Sequence, residues 1–206
     1  MRVVVVANPK GGVGKSTLAT HIAGYWARQG HAVQIGDADR QQTSRTWLSL
    51  RPANARPIQA WNASDPDELK LSGRVGHVVF DTPAGLHGRQ LKQVLKKADK
   101  LLIPLQPSIF DIYATRAFVD DLLARYPAGE GPDIAVVGMR VDARTLAAEQ
   151  LQAFVDTLGL PVLGHLRDTQ VYIQLAARGL TLFDIVPTRV DKDLAQWQPI
   201  CQWLDR

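Results

Sequence analysis

The chain has 206 residues, 46% of them hydrophobic, with 24 Lys and Arg against 20 Asp and Glu for a formal net charge of +4. That length suits one sizeable core and a single domain over residues 1–206, and the composition excludes a disordered chain. No run of about 18 apolar residues occurs, so no membrane span is expected, and a lone cysteine, Cys201, excludes an internal disulfide or a thiolate cluster.

Short apolar runs alternate with helical stretches along the chain. "RVVVVA" (2–7) reads as a buried strand, because consecutive β-branched residues end at Asn-Pro. "STLATHIAGYWARQG" (16–30) reads as a helix stopped by Gly30. "AVQIGD" (32–37) is a second strand and "QQTSRTWLSLR" (41–51) a helix. "ARPIQAW" (55–61) is a weak strand, and "DPDELKLSG" a short helix or loop. "HVVFD" (77–81) is a strand ending on an aspartate, "RQLKQVLKKADK" (89–100) a helix, and "LLIPLQP" (101–107) a strand closed by proline. "IYATRAFVDDLLARY" (112–126) is helical, "DIAVVGMRV" (133–141) a strand, and "TLAAEQLQAFVDTLG" (145–159) helical. "PVLGHL", "TQVYIQLAARG" and "DKDLAQWQPICQWL" read as a strand and two helices. Continuous apolar strands separated by helices predict an α/β fold: a doubly wound, mostly parallel sheet with helices on both faces.

The chemistry begins at "NPKGGVGKST" (8–17), between the first strand and the first helix. Gly11, Gly12 and Gly14, with Val13 between them, let the backbone wrap closely around phosphate oxygens. The next helix adds the positive end of its dipole. Lys15 can reach the β- and γ-phosphates of ATP, and the Ser16 hydroxyl can ligate Mg²⁺, with Thr17 beside it. The loop departs from G-x-x-x-x-G-K-[ST] at its first position, which is Pro9.

Two aspartates fall at strand ends. Asp81 in "FDTPAG" has the setting of an acidic residue near Mg²⁺. Asp39 in "GDADRQ" lies at the same sheet edge, with Asp37 competing for its role; an aspartate there can also serve as a helix N-cap. The five histidines (His21, His31, His77, His87 and His165) show no metal-ligand spacing.

With these segments in view, "KGGVGKST" resembles the deviant Walker A motif of the ParA/MinD family. "DADRQ" is similar to that family's second acidic motif, and "VVFDTPAG" and "ADKLLIPLQPS" to its Walker B stretch and following strand. The resemblance extends over most of the chain and is nearest to the short ParF-type partition ATPases. It implies that Lys10 is a signature lysine, reaching across an ATP-sandwich homodimer to the other subunit's phosphates. It implies that Asp39 orients the attacking water and sits near the metal, and that Asp81 holds Mg²⁺ through water. Arg140, in "GMRVD", replaces the family's asparagine near the base, where a guanidinium could stack on adenine. Arg40 replaces the usual proline after Asp39.

Three functions compete. A partition or cargo-positioning ATPase would bind nonspecific DNA as its ATP dimer, with Arg167, Arg178, Arg189 and Lys192 as candidate phosphate contacts. A ParB-like or cargo adaptor protein would stimulate its hydrolysis, and the chain would be cytoplasmic and nucleoid-associated. No N-terminal helix-turn-helix is expected. A MinD-like membrane ATPase would need a basic amphipathic last helix. Here Asp191, Asp193 and Asp205 outnumber Lys192 and Arg206, so its apolar face is expected on the sheet and no membrane is expected. A metabolic ligase on the same fold would have no need of Lys10.

Overall fold

The computed structural model describes residues 1–39, 41–61, 76–126 and 130–206. Arg40 and the short helix or loop expected at "DPDELKLSG" lie outside the described residues. Among the described residues seven strands form one sheet: β1 (Arg2–Val6), β2 (Val33–Asp37), β3 (Gln59–Trp61), β4 (His77–Asp81), β5 (Lys100–Leu105), β6 (Asp133–Gly138) and β7 (Val162–His165). Their order is β3-β2-β4-β1-β5-β6-β7, and every described pairing is parallel.

Among the described residues seven helices cover the sheet: α1 (Lys15–Arg28), α2 (Thr43–Ser49), α3 (Gly88–Leu95), α4 (Ile109–Arg125), α5 (Leu146–Asp156), α6 (Gln170–Ala176) and α7 (Asp191–Asp205). Single 3-10 turns at Leu182–Asp184 and Pro187–Arg189 join α6 to α7.

The β-branched run of β1 follows from its central place, buried on both faces. Val4 and Val6 point into a core with Leu18, Ile22, Trp26 and Trp197. Val5 and Ala7 point into a second core with Leu91, Leu95, Val119 and Leu151. Helices α1, α2, α6 and α7 thus cover one face, and α3, α4 and α5 the other. The apolar side of α7 does pack inward, through Trp197, Ile200 and Leu204. His21 packs as well: its ring stacks on Trp197, and its Nδ1 lies 2.8 Å from the Thr17 carbonyl.

Several expected boundaries shift; the strand expected over 133–141, for one, ends at Gly138, and three other shifts have a visible cause. The helix expected over 89–100 stops at Leu95, and Lys100 opens β5 instead. Asp99 draws the chain into the sheet: its amide donates to Val3 O, and its carboxylate accepts from Val3 N at 2.7 Å. Helix α4 starts three residues early, after Pro107 and an extended Ser108. Strand β3 shrinks to three residues behind Pro57, which has no amide to donate to a ladder.

One close approach fixes how α1 meets the turn before α7. A Cβ built on Gly24 would sit 2.4 Å from Thr181 Oγ1. Alanine is the better helix former by about 1 kcal/mol. Overpacking costs typically 1–3 kcal/mol, and Thr181 cannot yield because its hydroxyl donates to Asp184 at 2.7 Å. The clash therefore wins. Gly24→Ala is expected to lower the melting temperature by roughly 2–8 °C, measured by thermal denaturation; an unchanged or raised midpoint would refute this packing argument.

Candidate nucleotide-binding site

The carboxyl ends of β1, β2 and β4 open onto a cleft of about 830 Å³. In a doubly wound sheet a ligand is expected at this edge, where the strand order reverses beside β1. Its floor is the loop between β1 and α1. Gly12 and Gly14 both have positive φ, at 78° and 98°. A Cβ on Gly14 would also lie 2.7 Å from the Met139 methyl, so both strain and contact demand glycine there.

The loop is pinned from several sides. Buried Asn8 donates its Nδ2 to Pro104 O at 2.8 Å and to Thr115 Oγ1 at 2.9 Å. Its Oδ1 accepts from Lys10 N at 2.8 Å. Gln106 donates to Gly12 O, and Gly85 N to Pro9 O, each at 2.9 Å.

The two lysines of the loop part ways. Lys15 is buried, lines the cleft and donates from Nζ to Lys10 O at 2.6 Å. Burial lowers its pKa, opposed by the nearby charges of Asp81 and Asp39. Lys10 points away from the cleft: its partly exposed ammonium lies 4.0 Å from Asp111 on α4. Beside it, Phe110 and Tyr113 are 75% and 71% exposed.

The aspartates divide their work by hydrogen bonding. Asp37 is consumed by backbone, accepting from Asp39 N, Ser44 N and Arg45 N at 2.9, 2.8 and 3.1 Å. It anchors the start of α2. Asp39 accepts from Gln41 N at 2.9 Å and lines the cleft. Asp81 is buried, and burial pushes its pKa up to about 6, despite hydrogen bonds from Ser44 and Ser16. Ser44 Oγ donates to Asp81 Oδ2 at 2.5 Å, while Asp81 Oδ1 is buried without a hydrogen-bond partner.

That orphaned oxygen is the observation on which Mg²⁺ can be judged. A buried unpaired carboxylate oxygen is costly, and a hydrated cation would satisfy it. The donor set of Ser16, Asp81 and nearby Asp39 is hard oxygen, as Mg²⁺ requires. The site fits the ion.

A second cavity of about 430 Å³ adjoins the cleft and shares Gly14, Thr17 and Arg140 with it. Met139, Leu166 and Tyr172 give it apolar walls. Arg140 stands at the seam, exposed and with a positive φ of 53°. Val13 is buried beneath the loop and Thr17 lies on the wall between the two lobes. The expected phosphate-loop residues are thus brought together with Asp39, Asp81 and Arg140. Of the four late basic residues only Arg167 reaches this region, lining the second cavity. Arg167 is tied to buried Asp193 by bonds of 2.7 and 2.9 Å, while Arg178, Arg189 and Lys192 are exposed. Sequence reasoning missed Asn8, Ser44 and Met139. The Asn-Pro that ends β1 was a usable signal for the first; nothing local marks the other two.

Residues 4–183 match the family model for the CobQ/CobB/MinD/ParA nucleotide binding domain. The chain belongs to this family. It is 30% identical to the maintenance of carboxysome distribution protein A of Gloeobacter kilaueensis, over all of this chain and 94% of that protein. It is 27% identical to the chromosome-partitioning ATPase Soj of Thermus thermophilus, over 74% of this chain and 75% of Soj. Its fold matches the septum site-determining protein MinD of Pyrococcus horikoshii, solved with Mg-ADP, with a TM-score of 0.74 and 16% identity, covering all of this chain and 96% of that one.

The charge state of Asp81 makes a pH prediction. Its pKa is raised, so below about pH 6 it is increasingly protonated and loses its attraction for a cation. Mg-ATP affinity in this family member is expected to fall as pH drops from 7 to 5, beyond the change seen with metal-free ATP. Calorimetric titration of wild type and Asp81→Asn checks it: the metal-dependent part of the slope should vanish in the variant, and an equal slope in both would exclude Asp81.

Proposed function

We propose that this chain is a Mg²⁺-dependent ATPase that positions a cargo by cycling between a monomer and an ATP-bound homodimer able to hold DNA of any sequence. The observation that carries this reading is the divergence of its two loop lysines. Lys15 serves its own cleft. Lys10 is held outward, with nothing in its own cleft to serve, beside exposed apolar residues of α4. A second copy facing this edge would cover Ile109, Phe110 and Tyr113 and bring its own Lys10 to the phosphates. The full-length similarity to a carboxysome distribution protein, and the partial one to Soj, support positioning as the task and leave a protein body or a DNA molecule as cargo.

In this mechanism the loop amides of Gly11 to Ser16 and the amino end of α1 bind the phosphates. Lys15 pairs with the β- and γ-phosphate oxygens, and the adenine occupies the apolar lobe with Arg140 against its face. Mg²⁺, held by Ser16 and through water by Asp81, would neutralise charge on the β- and γ-phosphates. Asp39 orients water for attack on the γ-phosphorus as the bond to ADP breaks. Lys10 of the second copy stabilises the transferring charge, so turnover requires the dimer. Hydrolysis removes the γ-phosphate that both subunits grip, and the dimer parts. An adaptor protein of the ParB kind would accelerate that step. The setting implied is the cytoplasm, on nucleoid DNA. Among the described residues no helix is long and apolar enough to cross a membrane, and α7 spends its apolar face on the core, which leaves it none to lay on lipid.

Four experiments test the reading. Lys15→Ala should lose nucleotide binding. Lys10→Ala should keep it but lose about 100-fold or more of the concentration-dependent hydrolysis; full turnover by Lys10→Ala would remove its role across the dimer. Asp39→Ala should accumulate as an ATP-bound dimer in light scattering, and a monomer at saturating ATP would contradict the role given to Asp39. For DNA, gel shifts with ATP, ADP and no nucleotide should show retention only with ATP, independent of sequence and weakened by salt.

A further inference from the structure

The positive charge of this chain is concentrated. Residues 88–98, "GRQLKQVLKKA", carry Arg89, Lys92, Lys96 and Lys97 and no acidic residue. Removing these four from the 24 Lys and Arg leaves 20 against 20 Asp and Glu. The formal excess of +4 therefore resides in α3 and the residues just after it, and the rest of the chain is balanced.

The helix sorts those charges to one side. Leu91, Val94 and Leu95 are buried in the core under α3 and α4. Arg89, Lys92 and Lys96 recur at three- and four-residue spacing on the opposite side, and all three are exposed. Some arginines elsewhere hold acidic partners, Arg116 with Asp120, Arg125 with Asp121, Arg144 with Asp142 and Arg167 with Asp193, while exposed cations without one, such as Arg28, Arg45, Arg178 and Arg189, are scattered along the chain and form no comparable row. Among the described residues no carboxylate stands within ion-pair distance of Arg89, Lys92 or Lys96.

We propose that the outward face of α3 is the principal surface by which this chain grips the phosphate backbone of duplex DNA. The inference rests on the DNA-binding reading above and places the contact on α3, away from the late arginines. Chemistry selects this occupant. Three cations about 4.5–6 Å apart along a helix axis suit a row of phosphates, whose contacts fix position and carry no sequence. A protein interface would be expected to centre on aromatic or apolar anchors, and the outward positions of α3 offer only Arg, Lys and Gln. A lipid surface would need an apolar face to insert, and that face of α3 is already buried.

The surface is also wired to the nucleotide. Asp81 is joined to α3 by one short loop, whose Gly85 amide donates to Pro9 O of the phosphate loop at 2.9 Å. Leu86 and Gln90, at the start of α3, line the cleft. A nucleotide in the cleft would lie against Leu86 and Gln90, the latter next to Arg89, which places the basic face beside the nucleotide edge.

The test is fluorescence anisotropy of a labelled mixed-sequence duplex of 30 base pairs, with Mg-ATP, at 50 and 200 mM salt. Wild type is compared with Arg89→Ala/Lys92→Ala/Lys96→Ala and with Arg189→Ala/Lys192→Ala. Binding of a fluorescent ATP analogue controls for folding. Loss of three phosphate contacts should flatten the slope of log K against log salt by about 2.7, which removes about 40-fold of the wild-type salt dependence over that range. The α3 variant is expected to show this flattening with nucleotide binding intact, and the late variant a smaller change. If the α3 variant keeps wild-type affinity while the late variant loses it, DNA binding stands and the assignment to α3 is overturned. If wild type binds no duplex in any nucleotide state, the DNA reading itself fails; capture of polyglutamate by wild type alone would then give the basic face to an acidic protein partner.

Discussion

The carboxamide of Asn8 holds the point at which β1 leaves the sheet, and the geometry of the cleft depends on that point. A central parallel strand has no freedom of its own: Val4, Val5 and Val6 are fully buried between two cores. The chain must turn from this rigid strand into a loop whose amides face a ligand. Asn8 makes the turn definite by spending both ends of one side chain, its amide on β5 and α4 and its oxygen on Lys10 N. Alanine there would leave a buried carbonyl and a buried threonine hydroxyl short of a partner, at about 1–3 kcal/mol for each such group. The positive-φ turns at Gly12 and Gly14, which only glycine makes without strain, continue from that anchorage.

The acidic edge of the sheet shows how similar residues acquire different work. Asp37 and Asp81 sit at matching positions on neighbouring strands, paired in register. Asp37 meets three amides at the start of α2 and is satisfied as an anion. Asp81 accepts from the Ser44 hydroxyl, and its other oxygen is buried without a partner. The first is a structural clasp. The second is a carboxylate held in a costly state, relieved by a proton or by a cation. Lys15 is held in the complementary state, its charge disfavoured by burial and sustained by those carboxylates.

Most of the fold could be read from the order of apolar runs and breakers, because a doubly wound sheet writes itself as strands too apolar to face water. What could not be read were the ends. Helix α3 stops short because Asp99 is claimed by Val3, a residue distant in sequence. Strand β3 is trimmed by its place at the sheet edge. The same division holds at the site. Gly11 to Thr17 were legible, since their chemistry is local. The choice between Asp37 and Asp39 was not, because it turns on which amides each reaches after folding. Arg167 read as a free cation and is found paired, for its partner Asp193 lies on a different helix and is buried.

A second clasp carries the consequences of α2 across the molecule. Arg51, just after that helix, makes two bonds of 3.0 and 2.7 Å to Asp184, donates to Gly179 O at 3.0 Å, and is nearly inaccessible. Asp184 is also held by Thr181. Breaking one side of such a buried pair costs about 3–5 kcal/mol, so the end of α2 and the turns leading to Arg189 move together or not at all. Since Asp37 fixes the start of α2 and Asp39 opens onto the cleft, one rigid segment joins the nucleotide edge to the C-terminal turns. The short loop from Asp81 to α3 forms a second route. Arg89, Lys92 and Lys96, three exposed cations without acidic partners among the described residues, stand at the end of that route, on α3 and its C-cap, and Lys10 stands at the cleft rim beside a weak contact with Asp111. A row of cations that meets no carboxylate of its own and lies next to the nucleotide edge is open to anions that come and go.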